Sequence, residues 1–247
     1  MNEVVIIGGH GKIAMRLTRL LVDNGFSVTS VIRNPTDSND IVNIKAKPEI
    51  ISLEEADVAT FTALFETTNA KLVYFIAGAG GKGGPERTKT VDFEGAVKIF
   101  DAIEGVKNIK PRLILVGAID ARDPNRLEDY PSHYSEQDKD ISRRAHEILK
   151  DYYIWKYEAD KNLSQRTSFE WTILRPTSLD DTSGTGTAEI GFTQLGIPIS
   201  RDDVAEALFH LASRIQAHGL ILDMIGGNTP IAEALDSAIQ KRESAQI

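Results

Sequence analysis

The sequence predicts an α/β protein, a single doubly wound domain with a seven-stranded, mainly parallel sheet. Short apolar runs alternate with segments of helical hydrophobic period along the whole chain. The first run turns directly into a helix through glycines, and no internal repeat or second apolar core divides the 247 residues. The predicted strands are 4–7, 26–32, 50–53, 71–77, 112–118, 170–174 and 220–225.

The first strand ends in a turn with the sequence Gly8-Gly9-His10-Gly11-Lys12-Ile13-Ala14. Glycine lets backbone N–H groups approach a ligand closely, and the N-terminus of the following helix attracts negative charge. Strand, turn, helix and second strand together predict a Rossmann-type site for a dinucleotide pyrophosphate. We assign Gly8, Gly9, His10, Gly11, Lys12 and Ile13 to it, with His10 beside the phosphates. The alternative is a strand-to-helix corner that binds nothing.

The end of the second strand indicates which dinucleotide is bound. NAD-binding versions of the fold place a carboxylate there for the ribose 2′-hydroxyl, but no Asp or Glu lies between Asp23 and Asp37. Arg33-Asn34-Pro35 occupies the position instead, and a guanidinium pairs well with a 2′-phosphate. The sequence therefore favours NADP(H) over NAD(H). The alternative is that Arg33 is a solvated surface residue.

Two further segments are expected to line the cofactor. Ser52 and Leu53, at the end of the predicted third strand, are placed against the adenine. The fourth strand runs into the loop 77–85, which is rich in glycine and costly to order unless a ligand approaches its backbone. Its residues Ala77, Gly78, Ala79 and Gly80 are assigned to the nicotinamide half of the cofactor, and the alternative is a mobile surface linker. Pro85 is predicted to begin a long helix.

The C-terminal half is predicted to build the substrate side. Residues 120–140 are polar and lack a hydrophobic period, which predicts a surface excursion, and helix resumes near Ala145. Residues 177–200 are expected to form a small hairpin or lid. Asp202 and Asp203 precede a helix and are interpreted as helix-capping residues, so no metal site is predicted.

Composition excludes several classes of protein. With 28 Lys and Arg against 36 Asp and Glu, the net charge of −8 disfavours nucleic acid and anionic membranes as partners. The absence of cysteine excludes thiol catalysis and disulfides. Met1-Asn2-Glu3 does not resemble a signal peptide, and no apolar run is long enough to span a bilayer. The expectation is a cytoplasmic protein that acts on a small molecule.

Several segments resemble the short-chain dehydrogenase/reductase superfamily, and more closely its atypical branch of small NAD(P)-binding proteins, which includes flavin/biliverdin reductase-like and NmrA-like proteins. They are spread over nearly the whole chain in the expected order. The matching segments are Gly8 to Ala14, Val31-Ile32-Arg33-Asn34-Pro35, Phe75 to Gly80, Leu174-Arg175-Pro176 and Ile199 to Ala205.

The resemblance also implies a catalytic pair. Tyr152 and Lys156 match the family pattern Tyr-x-x-x-Lys, in which the ammonium lowers the pKa of the phenol and the phenol donates a proton to a carbonyl. The family serine is missing, because the fifth strand ends Val116-Gly117-Ala118. Hydroxyls of the next loop are possible substitutes: Ser132, Tyr134 and Ser135. Alternatively, Lys156 only binds the cofactor ribose. Gly117 and Pro176 are placed beside the cofactor.

Three functions are compatible with this sequence. The leading hypothesis is an NADPH-dependent reductase of a small carbonyl, quinone or flavin-like compound. A non-catalytic NADP(H)-binding redox sensor would explain the missing serine. An isomerase or epimerase that retains its cofactor is the third. By analogy with the superfamily, the helices from Pro85 and Ala145 could pair two subunits in a homodimer.

Overall fold

A nine-stranded sheet forms the centre of the computed structural model, which describes residues 3–80 and 83–247. The strands are β1 (Glu3–Ile7), β2 (Ser27–Ile32), β3 (Lys47–Ile50), β4 (Leu72–Phe75), β5 (Arg112–Val116), β6 (Trp171–Pro176), β7 (Leu179–Asp180), β8 (Thr187–Gly191), β9 (Ile199–Ser200), β10 (Ile221–Gly226) and β11 (Thr229–Pro230). The order in the sheet is β11-β8-β10-β6-β5-β4-β1-β2-β3. From β3 to β10 seven neighbouring strands run parallel, as predicted, and β8 and β11 extend the sheet antiparallel.

Helices cover both faces of this sheet, which confirms the doubly wound α/β class. They are α1 (Lys12–Asp23), α2 (Ser38–Asn43), α3 (Val58–Thr68), α4 (Gly84–Thr88), α5 (Gly95–Gly105), α6 (Glu136–Ile148), α7 (Lys150–Ser164), α8 (Arg201–Leu211) and α9 (Ile231–Lys241). A π-helix, Lys89–Glu94, joins α4 to α5. Short 3-10 helices lie at Pro35–Asp37 and Ile215–Ala217.

The two faces of the sheet bury two separate apolar cores. Side chains alternate along a strand, so Val4 and Ile6 of β1 pack on one face and Val5 and Ile7 on the other. The first core includes α1, α8 and α9, and the second includes α3, α5 and α7. Since β1 is buried on both faces, its uninterrupted run of branched apolar residues is explained.

The third strand lies earlier than predicted. It spans Lys47–Ile50, paired with β2 from Thr29 to Ile32, and not residues 50–53. As an edge strand it tolerates Pro48, and its side chains are half-buried or exposed, so hydrophobicity did not mark it. Residues 51 and 52 follow it without regular structure, and residues 53–55 form a turn.

Helix boundaries also differ from the prediction. Helix α6 begins within the predicted polar excursion, where Ser135 and Asp138 form a reciprocal capping box. The helix expected to resume near Ala145 is two helices that meet at Leu149. The helix expected from Pro85 begins one residue earlier and includes the π-helix.

The segment 177–200 contributes to the main sheet and also forms a second, two-stranded sheet. Strands β7 and β9 pair in parallel, and β8 between them joins the main sheet beside β10. A role as a lid over substrate stays a prediction. Of the loop 77–85, Gly81 and Lys82 lie outside the described residues, as do Met1 and Asn2. No helix of the described chain is long and apolar enough to cross a membrane.

We expect Gly8→Ala to lower the free energy of unfolding by about 3 kcal/mol, because Gly8 has φ +84° and a Cβ would lie 2.7 Å from the Ala77 Cα. Gly25→Ala is the matched control, since Gly25 has φ +82° with nothing within 4 Å. It should cost only about 1 kcal/mol from backbone strain. Urea unfolding measures both, and equal losses would contradict the close contact.

Candidate functional site

A cleft of about 330 Å³ lies at the carboxyl edge of β1, β2 and β4. The connections from β1 and β4 leave the sheet on opposite faces, which is the point where doubly wound proteins bind ligands. Of the residues assigned to the cofactor, eight line this cleft: Gly8, His10, Gly11, Arg33, Asn34, Leu53, Ala77 and Gly78.

The glycine turn forms the inner wall of the cleft. Gly9 lies beneath it, where an added Cβ would come 2.6 Å from the Ser30 Cβ, and its N–H donates to Val31 O at 2.8 Å. Gly11 is the N-cap of α1, so no side chain caps the first turn of that helix. The N–H groups at the start of α1 are therefore suited to bind an anion in the cleft.

Other residues assigned to the turn and to the adenine have structural contacts. Ile13 packs in the apolar core. Lys12 pairs with Asp181 at 2.5 Å, so its ammonium is engaged by a carboxylate. The Ser52 carbonyl accepts backbone hydrogen bonds in the turn that follows β3, and Leu53 is buried against Gly95.

Two arginines share one carboxylate at the outer end of the cleft. Glu54 Oε1 accepts from Arg33 Nη1 at 3.0 Å and from Arg87 Nη2 at 3.1 Å. Asn34 Oδ1 caps the short helix that follows by accepting from the Thr36 N–H. This end of the cleft therefore combines two guanidinium groups with one anion that a ligand phosphate could displace.

His10 lies at the same end and is held by two carboxylates. Its Nδ1 lies 3.2 Å from Asp37 Oδ2, and its Nε2 lies 2.9 Å from Asp40 Oδ2. The imidazole is thus occupied by side chains of the segment after β2. A contact from His10 to phosphate stays a prediction.

Lys156 is buried on α7 and ion-paired. Its Nζ lies 3.0 Å from Asp92 Oδ1 and 3.3 Å from the Val116 carbonyl. Burial opposes the charge of Lys156, but the Asp92 carboxylate outweighs it and raises the pKa of Lys156 above its usual range. Asp92 Oδ2 also accepts from the Ala79 N–H at 2.8 Å. One buried carboxylate therefore joins the glycine loop after β4 to α7, the helix that carries Tyr152 and Lys156.

Tyr152 is half-buried one turn before Lys156, with the Lys156 Nζ 5.8 Å from its ring centre. Burial raises the pKa of the Tyr152 phenol above its usual range, and the neighbouring Lys156 ammonium offsets only part of that rise. Asp160 lies one turn after Lys156 on the same face of α7 and accepts from Arg175 Nε at 2.7 Å. The tyrosine, lysine and aspartate form a row that faces the ends of β5 and β6.

The side chains of Arg175 and Asp160 occupy the space beside Gly117, the position where the superfamily carries its serine. A Cβ at Gly117 would lie 3.0 Å from the Arg175 Cγ and 3.2 Å from the Asp160 carboxylate oxygens. A side chain at Gly117 would crowd this buried ion pair, so glycine is the residue that fits there without a shift of Arg175 or Asp160. Pro176 follows Arg175, and its carbonyl accepts from the Ile119 N–H at 3.2 Å. Gly80 lies past Ala79 with φ +62°.

A second cavity of about 470 Å³ lies beyond this row; we call it the polar cavity. Its inner surface carries the buried side chains of Arg175, Asp223, Asp120 and Tyr134. Burial raises the pKa of Asp223 to about 7, because Arg175 compensates only part of the desolvation. Asp120 holds an uncommon positive φ of 60° and accepts from Arg122 Nε at 2.6 Å.

The candidate substitutes for serine separate in space. Ser135 Oγ donates to Asp138 at 2.6 Å and caps α6. Tyr134 OH donates to Asp120 Oδ1 at 3.2 Å, and both Tyr134 and Ser132 line the polar cavity. Tyr134 is thus a hydroxyl held at the wall of the polar cavity, while Ser135 has a structural role.

Sequence reasoning missed the carboxylates of this site. Asp160 had a signal, because it continues the spacing of Tyr152 and Lys156 by one more turn. Asp223 had one too, as a charge inside an apolar strand. Asp92 had little to indicate its role, because its partners Ala79 and Lys156 are distant along the chain. Its one signal was a charge placed in the apolar stripe of a helix. Across residues 3–80 and 83–247, no group of three or more His, Asp or Glu side chains could hold a metal ion.

Comparison with known proteins gives consistent matches. A protein-family model described as NAD(P)H-binding matches residues 8–214. A UPF0659 protein of Schizosaccharomyces pombe is 38% identical over 99% of this chain and 98% of its own. The Bacillus subtilis protein YhfK, named an uncharacterized sugar epimerase, is 32% identical over 94% of this chain and 98% of its own. A solved Bacillus halodurans structure named for NAD-dependent epimerase/dehydratase activity has a TM-score of 0.78 at 25% identity, covering 96% of this chain and 100% of that one.

We expect Asp92→Asn to lower the free energy of unfolding by about 3 kcal/mol, because the variant leaves the Lys156 charge buried without its counter-ion. Glu94→Gln on the same π-helix is the control. It breaks the exposed Lys89–Glu94 pair and should cost less than about 1 kcal/mol. Chemical denaturation of the three proteins compares them, and equal losses would argue against a buried pair.

Asp223→Asn should change the pH dependence of stability. A carboxyl whose pKa is raised on folding binds more protons in the folded chain, so its contribution to stability falls as pH rises from about 4 to about 7 and stays lost above that. Relative to the native protein, the variant should gain on the order of 4 kcal/mol at about pH 8 and little at about pH 4. Urea unfolding at both pH values tests this; a pH-independent difference would contradict it.

Proposed function

Because this chain belongs to the NAD(P)H-binding family matched over residues 8–214, we propose that it is an NADPH-dependent reductase of a small carbonyl, quinone or flavin-like compound. The observation that carries the proposal is the Asp92 bridge between the Ala79 N–H and Lys156. It couples the loop expected to hold the nicotinamide half of the cofactor to the helix that bears Tyr152.

The lining of the cleft suits the pyrophosphate of a dinucleotide. The turn packs so closely that a Cβ at Gly8 or Gly9 would clash with Ala77 or Ser30, and the start of α1 offers backbone N–H groups without a side-chain cap. The residues that would hold the cofactor are those of the turn, Arg33, and the backbone from Ala77 to Gly80. When bound, the cofactor would supply the hydride.

The chain's own residues would supply the proton and the positioning. Lys156, charged and fixed by Asp92, offsets part of the rise that burial causes in the pKa of the Tyr152 phenol. The phenol therefore keeps its proton at neutral pH and would donate it to a substrate oxygen. The same ammonium can hold a ribose hydroxyl. Gly117 leaves no hydroxyl to orient that oxygen, so Tyr152 would act without the serine of the superfamily.

A retained-cofactor epimerase is the second candidate, and the name of the Bacillus subtilis relative favours it. A non-catalytic redox sensor is the third, favoured by the absent hydroxyl at Gly117. The three differ in what happens to the cofactor. A reductase consumes NADPH, an epimerase returns it unchanged after each turnover, and a sensor binds it without turnover.

The test follows NADPH oxidation by the purified protein with a panel of quinones, flavins and aldehydes. Turnover that falls at least about tenfold in Tyr152→Phe supports the reductase with Tyr152 as acid. Tight NADPH binding with no turnover of any member would contradict it. Sugar isomer exchange without NADPH consumption would support the epimerase instead.

Arg33→Ala should weaken NADPH binding by about ten- to a hundredfold and leave NADH binding within about twofold, because a charge-assisted contact to the 2′-phosphate is lost. Arg19→Ala is the control, because Arg19 is an exposed arginine of α1 that does not line the cleft, and it should change neither affinity. Quenching of protein fluorescence gives the affinities. Equal losses for both cofactors would remove Arg33 as the determinant of NADP preference.

A further inference from the structure

The polar cavity is separate from the cofactor cleft, and the two share no lining residue in the described chain. Its floor is formed by neighbouring positions of β6 and β10, where Arg175 and Asp223 are register partners. Both side chains are at least nine-tenths buried. The cavity is therefore lined at its base by strand residues whose backbone is fixed by the main sheet.

Two polar atoms on this floor lack a hydrogen-bond partner. Arg175 donates Nε to Asp160, but its Nη2 has no acceptor, and Asp223 Oδ1 has no donor. A buried donor and a buried acceptor left unsatisfied are each costly, and here they belong to residues at paired positions of adjacent strands. A hydroxyl group satisfies both at once, because it accepts one hydrogen bond and donates another.

The charges around the cavity select against ions. Asp160 neutralises Arg175, and Arg122 neutralises Asp120 at 2.6 Å. These pairs, together with an Asp223 carboxyl whose pKa is raised to about 7, leave no full counter-charge on the cavity floor for an ionic ligand. A neutral ligand, which needs no counter-charge, is therefore favoured.

Aromatic rings complete the walls. His133 lies 5.2 Å from Phe192 and 5.0 Å from Tyr134, and Tyr130 packs on the Arg122 guanidinium at 4.9 Å. Apolar faces above a polar floor suit a compound whose hydroxyls point one way and whose C–H groups point the other. A volume of about 470 Å³ accommodates a molecule of one or two small rings.

We propose that the polar cavity binds a small neutral hydroxylated compound, with one hydroxyl accepting from Arg175 Nη2 and donating to Asp223 Oδ1. The assignment of that compound as the substrate rests on the proposed function, whereas the hydroxyl site itself does not. The link is Asp160, which holds Arg175 and lies one turn from Lys156, so the cavity floor adjoins the candidate catalytic row.

The test uses calorimetry with neutral, anionic and cationic compounds of similar size. D-Ribose, D-glucose and myo-inositol are the neutral probes, and D-glucuronate and D-glucosamine are the charged ones. At least one neutral probe should bind saturably and about tenfold more tightly than the charged probes. No saturable binding of any neutral probe, or tighter binding of a charged one, would overturn the inference.

Variants locate the binding. Asp223→Ala should weaken binding of the neutral probe at least about tenfold. Asp223→Asn keeps a hydrogen-bonding oxygen and should weaken that binding only a few fold. Asp236→Asn, at an exposed pair with Arg214, should change nothing. If Asp223→Ala binds the probe as the native protein does, the cavity is not the site.

NADPH titration of the same proteins separates this inference from the proposed function. All variants should bind NADPH as the native protein does, because the residues changed lie outside the cofactor cleft. Probe binding that depends on Asp223 in a protein that never binds NADPH would keep the hydroxyl site and remove the proposed reductase. NADPH binding and turnover without probe binding would keep the proposed reductase and remove the hydroxyl site.

Discussion

The structure depends on how closely the turn after β1 packs against its neighbouring strands. A Cβ at Gly8 would lie 2.7 Å from Ala77 of the segment after β4, and one at Gly9 would lie 2.6 Å from Ser30 of β2. This contact fixes where α1 begins, and with it the direction in which its first N–H groups point. The cleft exists because these backbones meet without side chains between them.

Buried charge organises the rest of the site. Asp92 joins the loop after β4 to Lys156, and the π-helix that carries it is a local irregularity of the kind often found at functional sites. Asp160 and Arg175 continue the network towards the polar cavity. Such pairs are costly to bury, and they stabilise a fold little more than apolar residues of the same volume would. We therefore interpret their role as fixing the orientation of the side chains. The network therefore positions the loop after β4, helix α7 and the floor of the polar cavity together.

Much of the fold could be predicted from sequence, because parallel buried strands and the glycine turn leave strong local patterns. The seven parallel strands and the superfamily resemblance are confirmed. Strand β3 was misplaced because an edge strand need not be hydrophobic, and the break at Leu149 left no glycine or proline to mark it. Asp92, Glu54 and Asp223 act through partners distant in sequence, so spacing alone could not identify them.

Backbone amide NMR with added NADPH tests the central claim most directly, since it reports where the phosphates bind. The account expects the largest shifts at Gly9 to Ile13, where N–H groups at the start of α1 would meet the pyrophosphate. Binding that left those amides unmoved, with shifts confined to another surface, would contradict it.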